Sequence, residues 1–105
     1  MLLTLIIEVK TFEYLTYIPS KREMYIKNYK VYLTPCESHF INYLISNNGY
    51  CNMSDFETYI KNIKHKSISR KSLVVEINRF RKRIVYQTGF PILKSKYGYG
   101  YTLNY

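Results

Sequence analysis

Lys71, Asn78, Arg79 and Lys82 lie within residues 70–84, a stretch that reads Arg-Lys-Ser-Leu-Val-Val-Glu-Ile-Asn-Arg-Phe-Arg-Lys-Arg-Ile. At roughly 100° per residue, these four side chains and Val75 fall on one side of a helix. Leu73, Ile77, Phe80 and Ile84 fall on the other. The chemistry open to the first set is non-covalent. Lys and Arg neutralise phosphates, Arg matches a guanine edge with two donors, and Asn matches adenine with one donor and one acceptor. A helix anchored by an apolar stripe and cationic on its opposite face is suited to lie against nucleic acid. A solvated surface helix carries the same pattern, so the remainder of the chain has to decide between them.

Other reactive residue types assemble less well. Cys36 and His39 stand three residues apart and, with Cys51 and His65, supply four ligand types, but the spacing fits no common zinc finger. A Cys-His nucleophile would need an orienting acid, which nothing in the sequence identifies. The expectation is therefore no metal, no cofactor and no enzymatic activity. Thirteen tyrosines interleaved with lysines raise a further alternative, a surface that stacks single-stranded bases. Most of them stand at alternating strand positions, which favours core or half-buried roles.

Charge is distributed unevenly. Residues 1–57 hold five Lys/Arg against six Asp/Glu, and residues 58–105 hold eleven against Glu76 alone. The net charge of +9 is thus concentrated in the second half, which reads as the working face of a protein with a polyanionic partner, the first half being scaffold. A chain of 105 residues fits one domain, 1–105. Two cysteines do not make a disulfide framework. The apolar start lacks a basic n-region and a cleavage site, and no run reaches the roughly 20 apolar residues of a membrane span. These features predict a cytoplasmic protein.

The elements that must position the basic helix follow from local signals. Residues 3–9 and 13–18 are rich in β-branched and aromatic types and read as strands, as do 24–26 and 31–33 around a turn at Lys27-Asn28-Tyr29-Lys30. An antiparallel N-terminal sheet over 1–33 is expected. The period changes at Leu33-Thr34-Pro35-Cys36-Glu37, where Thr34 is placed as N-cap, Pro35 as first helical residue and Glu37 as partner in a capping box. Phe40, Ile41, Leu44 and Tyr43 form the inner face, and Asn47-Asn48-Gly49 stops the helix. Ser54 and Glu57 predict a second capped start, with Phe56, Tyr59, Ile60 and Ile63 facing the core. Ser69 caps a third helix running to about Val85, and residues 91–105 read as a β-hairpin whose tip carries Lys96 and Tyr97. The three helices occupy 34–85. The fold class is α+β, a winged helix-turn-helix with an N-terminal antiparallel sheet, three helices and a C-terminal hairpin wing.

Three motifs in this order resemble one known family: Leu33-Thr34-Pro35-Cys36-Glu37, then Val75-Glu76-Ile77-Asn78-Arg79-Phe80-Arg81-Lys82, then Gly98-Tyr99-Gly100-Tyr101 followed by Leu103. Over roughly residues 22–105 the chain is similar to the OmpR/PhoB-type effector domain of bacterial transcription regulators, whose members carry a four-stranded N-terminal sheet. The resemblance implies that the helix from Ser69 enters the major groove and that the hairpin approaches the adjacent minor groove. It implies contacts from the positions matching Lys71, Ser72, Glu76, Asn78, Arg79 and Arg81, and from the wing before Gly98. Periodicity adds Val75 and Lys82, and charge adds Lys94, Lys96 and the neighbouring Tyr97.

The roles expected are Arg79 and Asn78 on base edges, and Lys71, Ser72 and Arg81 on phosphates. Tyr97 replaces the usual wing arginine, Glu76 the common histidine, and Ser38 an apolar residue of the first helix. Glu76 is expected either to accept from cytosine or to pair with an Arg. This sequence carries neither the receiver domain nor the transmembrane segment usual in the family; if it is full length, control is expected to rest with abundance, a partner or heterodimerisation. The function expected is sequence-specific binding of double-stranded DNA to regulate transcription. It could involve a homodimer on tandem or inverted half-sites and contact RNA polymerase or a second regulator through residues 64–68. The alternatives are a winged-helix protein that modulates another regulator, and an RNA or single-strand binder.

Overall fold

The computed structural model describes residues 9–12, 14–64, 68–96 and 100–103. Four short strands come first: β1 (Lys10–Phe12), β2 (Leu15–Ile18), β3 (Glu23–Ile26) and β4 (Tyr29–Tyr32). They form an antiparallel sheet in chain order, with a one-turn 3₁₀ segment at Pro19–Lys21 between β2 and β3. Helices α1 (Pro35–Ser46), α2 (Met53–Lys64) and α3 (Arg70–Thr88) follow, α1 and α2 being separated by β5 (Tyr50–Asn52). The hairpin strands β6 (Leu93–Lys96) and β7 (Gly100–Leu103) close the chain, and β5 pairs with β7 to give a second antiparallel sheet in the order β5-β7-β6. The fold class is α+β.

Local chemistry explains most of the boundaries. The Thr34 hydroxyl accepts the Glu37 N–H at 3.3 Å while the Glu37 carboxylate accepts the Thr34 N–H at 2.9 Å, the reciprocal pair of a capping box. Helix α3 starts at Ser69, whose hydroxyl accepts the Ser72 N–H at 3.2 Å.

Four expectations need correcting. Helix α2 is capped by Asn52, whose side-chain oxygen accepts the N–H groups of Ser54 and Asp55 at 2.9 and 3.3 Å. Ser54 therefore sits in the first turn, and Glu57 turns away from the cap to pair with Arg70. Among the described residues the sheet begins with Lys10–Phe12, and Tyr14 lies in the turn before β2, so the strand expected at 13–18 starts at Leu15; the strand expected at 3–9 lies, apart from Val9, outside the described residues. The β3–β4 turn needs only Lys27 and Asn28, because Tyr29 and Lys30 pair with Ile26 and Tyr25. Finally, α3 runs three residues past Val85, to Thr88.

Phe40 on α1 joins the layers. Its ring meets Phe56 of α2, Phe80 of α3 and Tyr101 of β7 edge-on, at centroid distances of 5.5, 6.4 and 5.8 Å. Leu73, Ile77 and Ile84 of α3 are buried beside it, and Leu15, Met24, Ile26 and Val31 extend the same core under the N-terminal sheet. The inner stripe read from periodicity is the buried stripe of α3. No helix among the described residues is long and apolar enough to cross a membrane.

Candidate nucleic-acid interface

The core fixes the rotation of α3, and that rotation sorts its six basic residues. Arg70 is held by the Glu57 carboxylate, and its Nη2 donates to the Ser54 hydroxyl at 2.7 Å. Arg83 reaches the other flank. There its Nη1 and Nη2 donate to the two Glu37 carboxylate oxygens at 3.0 and 2.6 Å, and Nη2 also donates to the Tyr32 carbonyl at 2.9 Å. Lys71, Arg79 and Lys82 are exposed, with no ion pair among the described residues. Arg81 is half-buried; burial holds the Tyr101 hydroxyl above its ordinary ionisation range, and the nearby Arg81 charge opposes that rise. Scaffold contacts thus consume two cations at the edges of the buried stripe, and the outward row keeps its charge for an outside partner.

The other predicted residues divide in the same way. Val75 is 41% exposed in the middle of the outward row. Ser72 is exposed, but its hydroxyl lies 3.0 Å from that of Ser69 at the helix cap. Asn78 is half-buried, and its side-chain oxygen accepts from the Tyr101 hydroxyl at 3.2 Å. That bond ties the helix to β7 and leaves the Asn78 amide N–H group for another acceptor. Glu76 is exposed and has no Arg or Lys partner among the described residues; its carboxylate lies close enough to the Cys36 thiol at the start of α1 to help that group keep its proton. The expectation of an Arg partner for Glu76 is therefore corrected. Lys94 is exposed on β6, Lys96 ends that strand opposite Gly100, and Tyr97 lies outside the described residues.

Sequence reading missed Arg83, Arg70 and Tyr101 as the groups that orient this face. Only helical angle hinted at the first, since residue 83 falls beside the buried stripe and next to the apolar flank of Phe80, over which its guanidinium sits at 5.5 Å. Tyr86, 90% exposed, extends the outward row one turn beyond Lys82.

Both cysteines are buried, which disfavours the nucleophilic thiolate. Burial pushes the Cys36 thiol up to about 12, helped by the nearby Glu76 carboxylate. Burial, with Asp55 nearby, raises Cys51 to about 12 as well. Both are free thiols, and no group of three or more His, Cys, Asp or Glu among the described residues could hold a metal ion. Thiol reagents are accordingly expected to label the native protein at pH 8 on the order of a hundredfold more slowly than the denatured chain. Rapid labelling without denaturant would refute the burial. The unfolded thiols ionise near 9.0, and the folded ones hold their protons to about 12. The stability they contribute is therefore complete below pH 9 and declines as the pH rises from 9 toward 12.

A scan against protein-family models finds no match to this chain, and a search of curated proteins finds none either.

Proposed function

We propose that the chain is a winged helix-turn-helix protein that binds duplex DNA sequence-specifically and regulates transcription. In this reading α3 lies in the major groove and the β6–β7 hairpin is the wing, near the adjacent minor groove. One observation carries it. The cations at the flanks of α3 are neutralised by Glu57 and Glu37, whereas Lys71, Arg79 and Lys82 project outward without acidic partners among the described residues. A merely solvated helix gains nothing from keeping like charges together on one face. A phosphate-facing helix requires it. The order of a four-stranded sheet, three helices and a basic hairpin supports the same reading, since it is what the resemblance to OmpR/PhoB-type effector domains implies.

Within this proposal Arg79 and the Asn78 amide read base edges, with Val75 placed for a thymine methyl. Lys71, Lys82, Arg81 and Lys94 hold phosphates. Control passes through a partner, RNA polymerase or a second regulator, or through pairing of two copies on neighbouring half-sites. A second reading, a modulator that binds another regulator, draws on Val85 and Tyr86, which are 42% and 90% exposed at the end of α3.

Selection of duplexes from a random library at about physiological salt separates the two. Arg79→Ala is the informative variant, because Asn78→Ala would also orphan the Tyr101 hydroxyl. Wild type is expected to enrich a discrete motif, and Arg79→Ala to lose about 1–3 kcal/mol and relax one position. Lys71→Ala is expected to weaken all sequences alike and lower the salt slope by about 1. No enrichment, or enrichment unchanged by Arg79→Ala, would sink the base-reading role and leave α3 to a protein partner.

A further inference from the structure

A cleft on the described surface lies away from α3. It has a volume of about 530 Å³ and is walled by Lys10 of β1, Arg22 before β3, His39 and Asn42 of α1, and Tyr59 and Ile63 of α2. His39 and Asn42 sit on the face of α1 opposite Phe40 and Leu44, so the cleft and α3 share that helix but not a surface. From these observations we infer a second anion site: a pocket for a small organic phosphate or carboxylate, independent of the nucleic-acid interface.

Three features define the ligand. Among the described residues no carboxylate lines the cleft, whereas Lys10 and Arg22 both do. The polar groups are pre-oriented: Lys10 Nζ donates to the Asn42 side-chain oxygen at 2.5 Å, and the Asn42 amide donates to the Tyr59 hydroxyl at 3.0 Å. Tyr59 is thus an acceptor within this chain and donates to no described residue, so its proton is available to an anion placed in the cleft. The third feature is size. A volume within the roughly 300–1,000 Å³ range of small-molecule sites exceeds what inorganic phosphate fills, and Ile63 gives the body of a larger ligand an apolar wall. Duplex DNA would supply the same phosphate chemistry, but the recessed polar groups, drawn from four separate elements, fit a free molecule of sugar-phosphate or nucleotide size.

Arg22 offers a clean test, because its side chain is exposed while its backbone holds the turn. Its N–H donates to the Pro19 carbonyl at 3.1 Å, and its own carbonyl accepts from Leu33 at 2.9 Å. Its φ is +49°, a conformation asparagine tolerates, so Arg22→Asn removes the charge and keeps the fold. The full chain would be titrated with inorganic phosphate, citrate, glucose 6-phosphate and adenosine monophosphate, following thermal midpoint and the NMR signals of His39 and Tyr59. The same series would be run on Arg22→Asn and on Lys71→Ala/Arg79→Ala.

Saturable shifts at His39 and Tyr59 with at least one organic anion are expected. They should weaken about tenfold or more in Arg22→Asn and persist in the α3 double variant. Absence of saturation with every probe up to about 20 mM, an affinity too weak for a built site, would overturn the proposal. So would a response lost in the α3 variant but kept in Arg22→Asn, which would identify the anion as a mimic of the DNA backbone on α3.

Discussion

Gly100→Ala is expected to lose at least about 3 kcal/mol of stability, read as a fall in the denaturant midpoint. A methyl group at residue 100 would stand 2.0 Å from the Cys51 carbonyl oxygen and 3.2 Å from the Met53 nitrogen, both backbone atoms. No rotamer change relieves such a contact. Either β7 separates from β5, where Gly100 pairs with Asn52, or the start of α2 moves. Gly89→Ala supplies the internal control. That residue also has a positive φ, +77°, but a methyl group there would meet nothing within 4 Å. Its cost is confined to backbone strain and is expected to be about 1 kcal/mol. Equal losses at the two positions would refute the close approach of β7 to β5. An exposed tryptic site in β5, appearing only in Gly100→Ala, would locate the damage in the second sheet. The consequence for function follows directly, because β7 carries Tyr101 and Tyr101 holds Asn78 on α3.

The parts of the fold that were legible in the sequence are those whose causes are local. A capping box is made by residues three apart, so Thr34 and Glu37 announced α1 before any tertiary contact was known. The stripe of Leu73, Ile77, Phe80 and Ile84 is a property of helical period, and it predicted both the buried side and the outward row of α3. β5 escaped notice because three residues carry no readable alternation. It is a strand only because β7, some fifty residues later, supplies its hydrogen bonds. The start of α2 was misplaced for a related reason. Ser54 and Glu57 have the capping-box spacing, but Asn52 offered a better-placed acceptor, and Arg70 drew Glu57 outward.

The candidate interface was legible to the same depth and no further. Sequence spacing named the side chains that face outward; it could not say which cations were already spent. Arg83 and Arg70 look as free as Arg79 until Glu37 and Glu57, contributed by earlier helices, are seen to neutralise them. Glu76 looked set to pair with a neighbouring Arg, yet no described Arg or Lys pairs with it, and the thiol of Cys36, forty positions earlier, is the group its charge affects. The cleft at Lys10, Arg22 and Tyr59 had no sequence signal at all, since its walls come from four stretches with no common period.

Arg83→Ala is expected to cost about 3 kcal/mol and lower the thermal midpoint by more than about 10 °C, although the residue faces no ligand in the proposed function. The Glu37 side chain is only 9% exposed and relies on three charge-assisted or backbone donors: both Arg83 nitrogens and the Thr34 N–H. Removing the guanidinium leaves a dehydrated carboxylate with one donor. The Tyr32 carbonyl loses its partner in the same step. Because Arg83 itself is a third exposed, water reaches part of the gap, which keeps the cost at the lower end for a broken buried pair. Arg83→Lys restores the charge but not the two-pronged geometry, and about half the loss should remain. Pairing Arg83→Met with Glu37→Gln should recover stability relative to Arg83→Met alone, since Gln keeps an acceptor for Thr34 without a buried charge. A coupling energy below about 0.5 kcal/mol in that cycle would mean the pair contributes nothing. Duplex affinity adds a second readout. If Arg83 only positions α3, its variants should bind the wild-type motif with unchanged base preference and reduced affinity, whereas Arg79→Ala should change the preference at full stability.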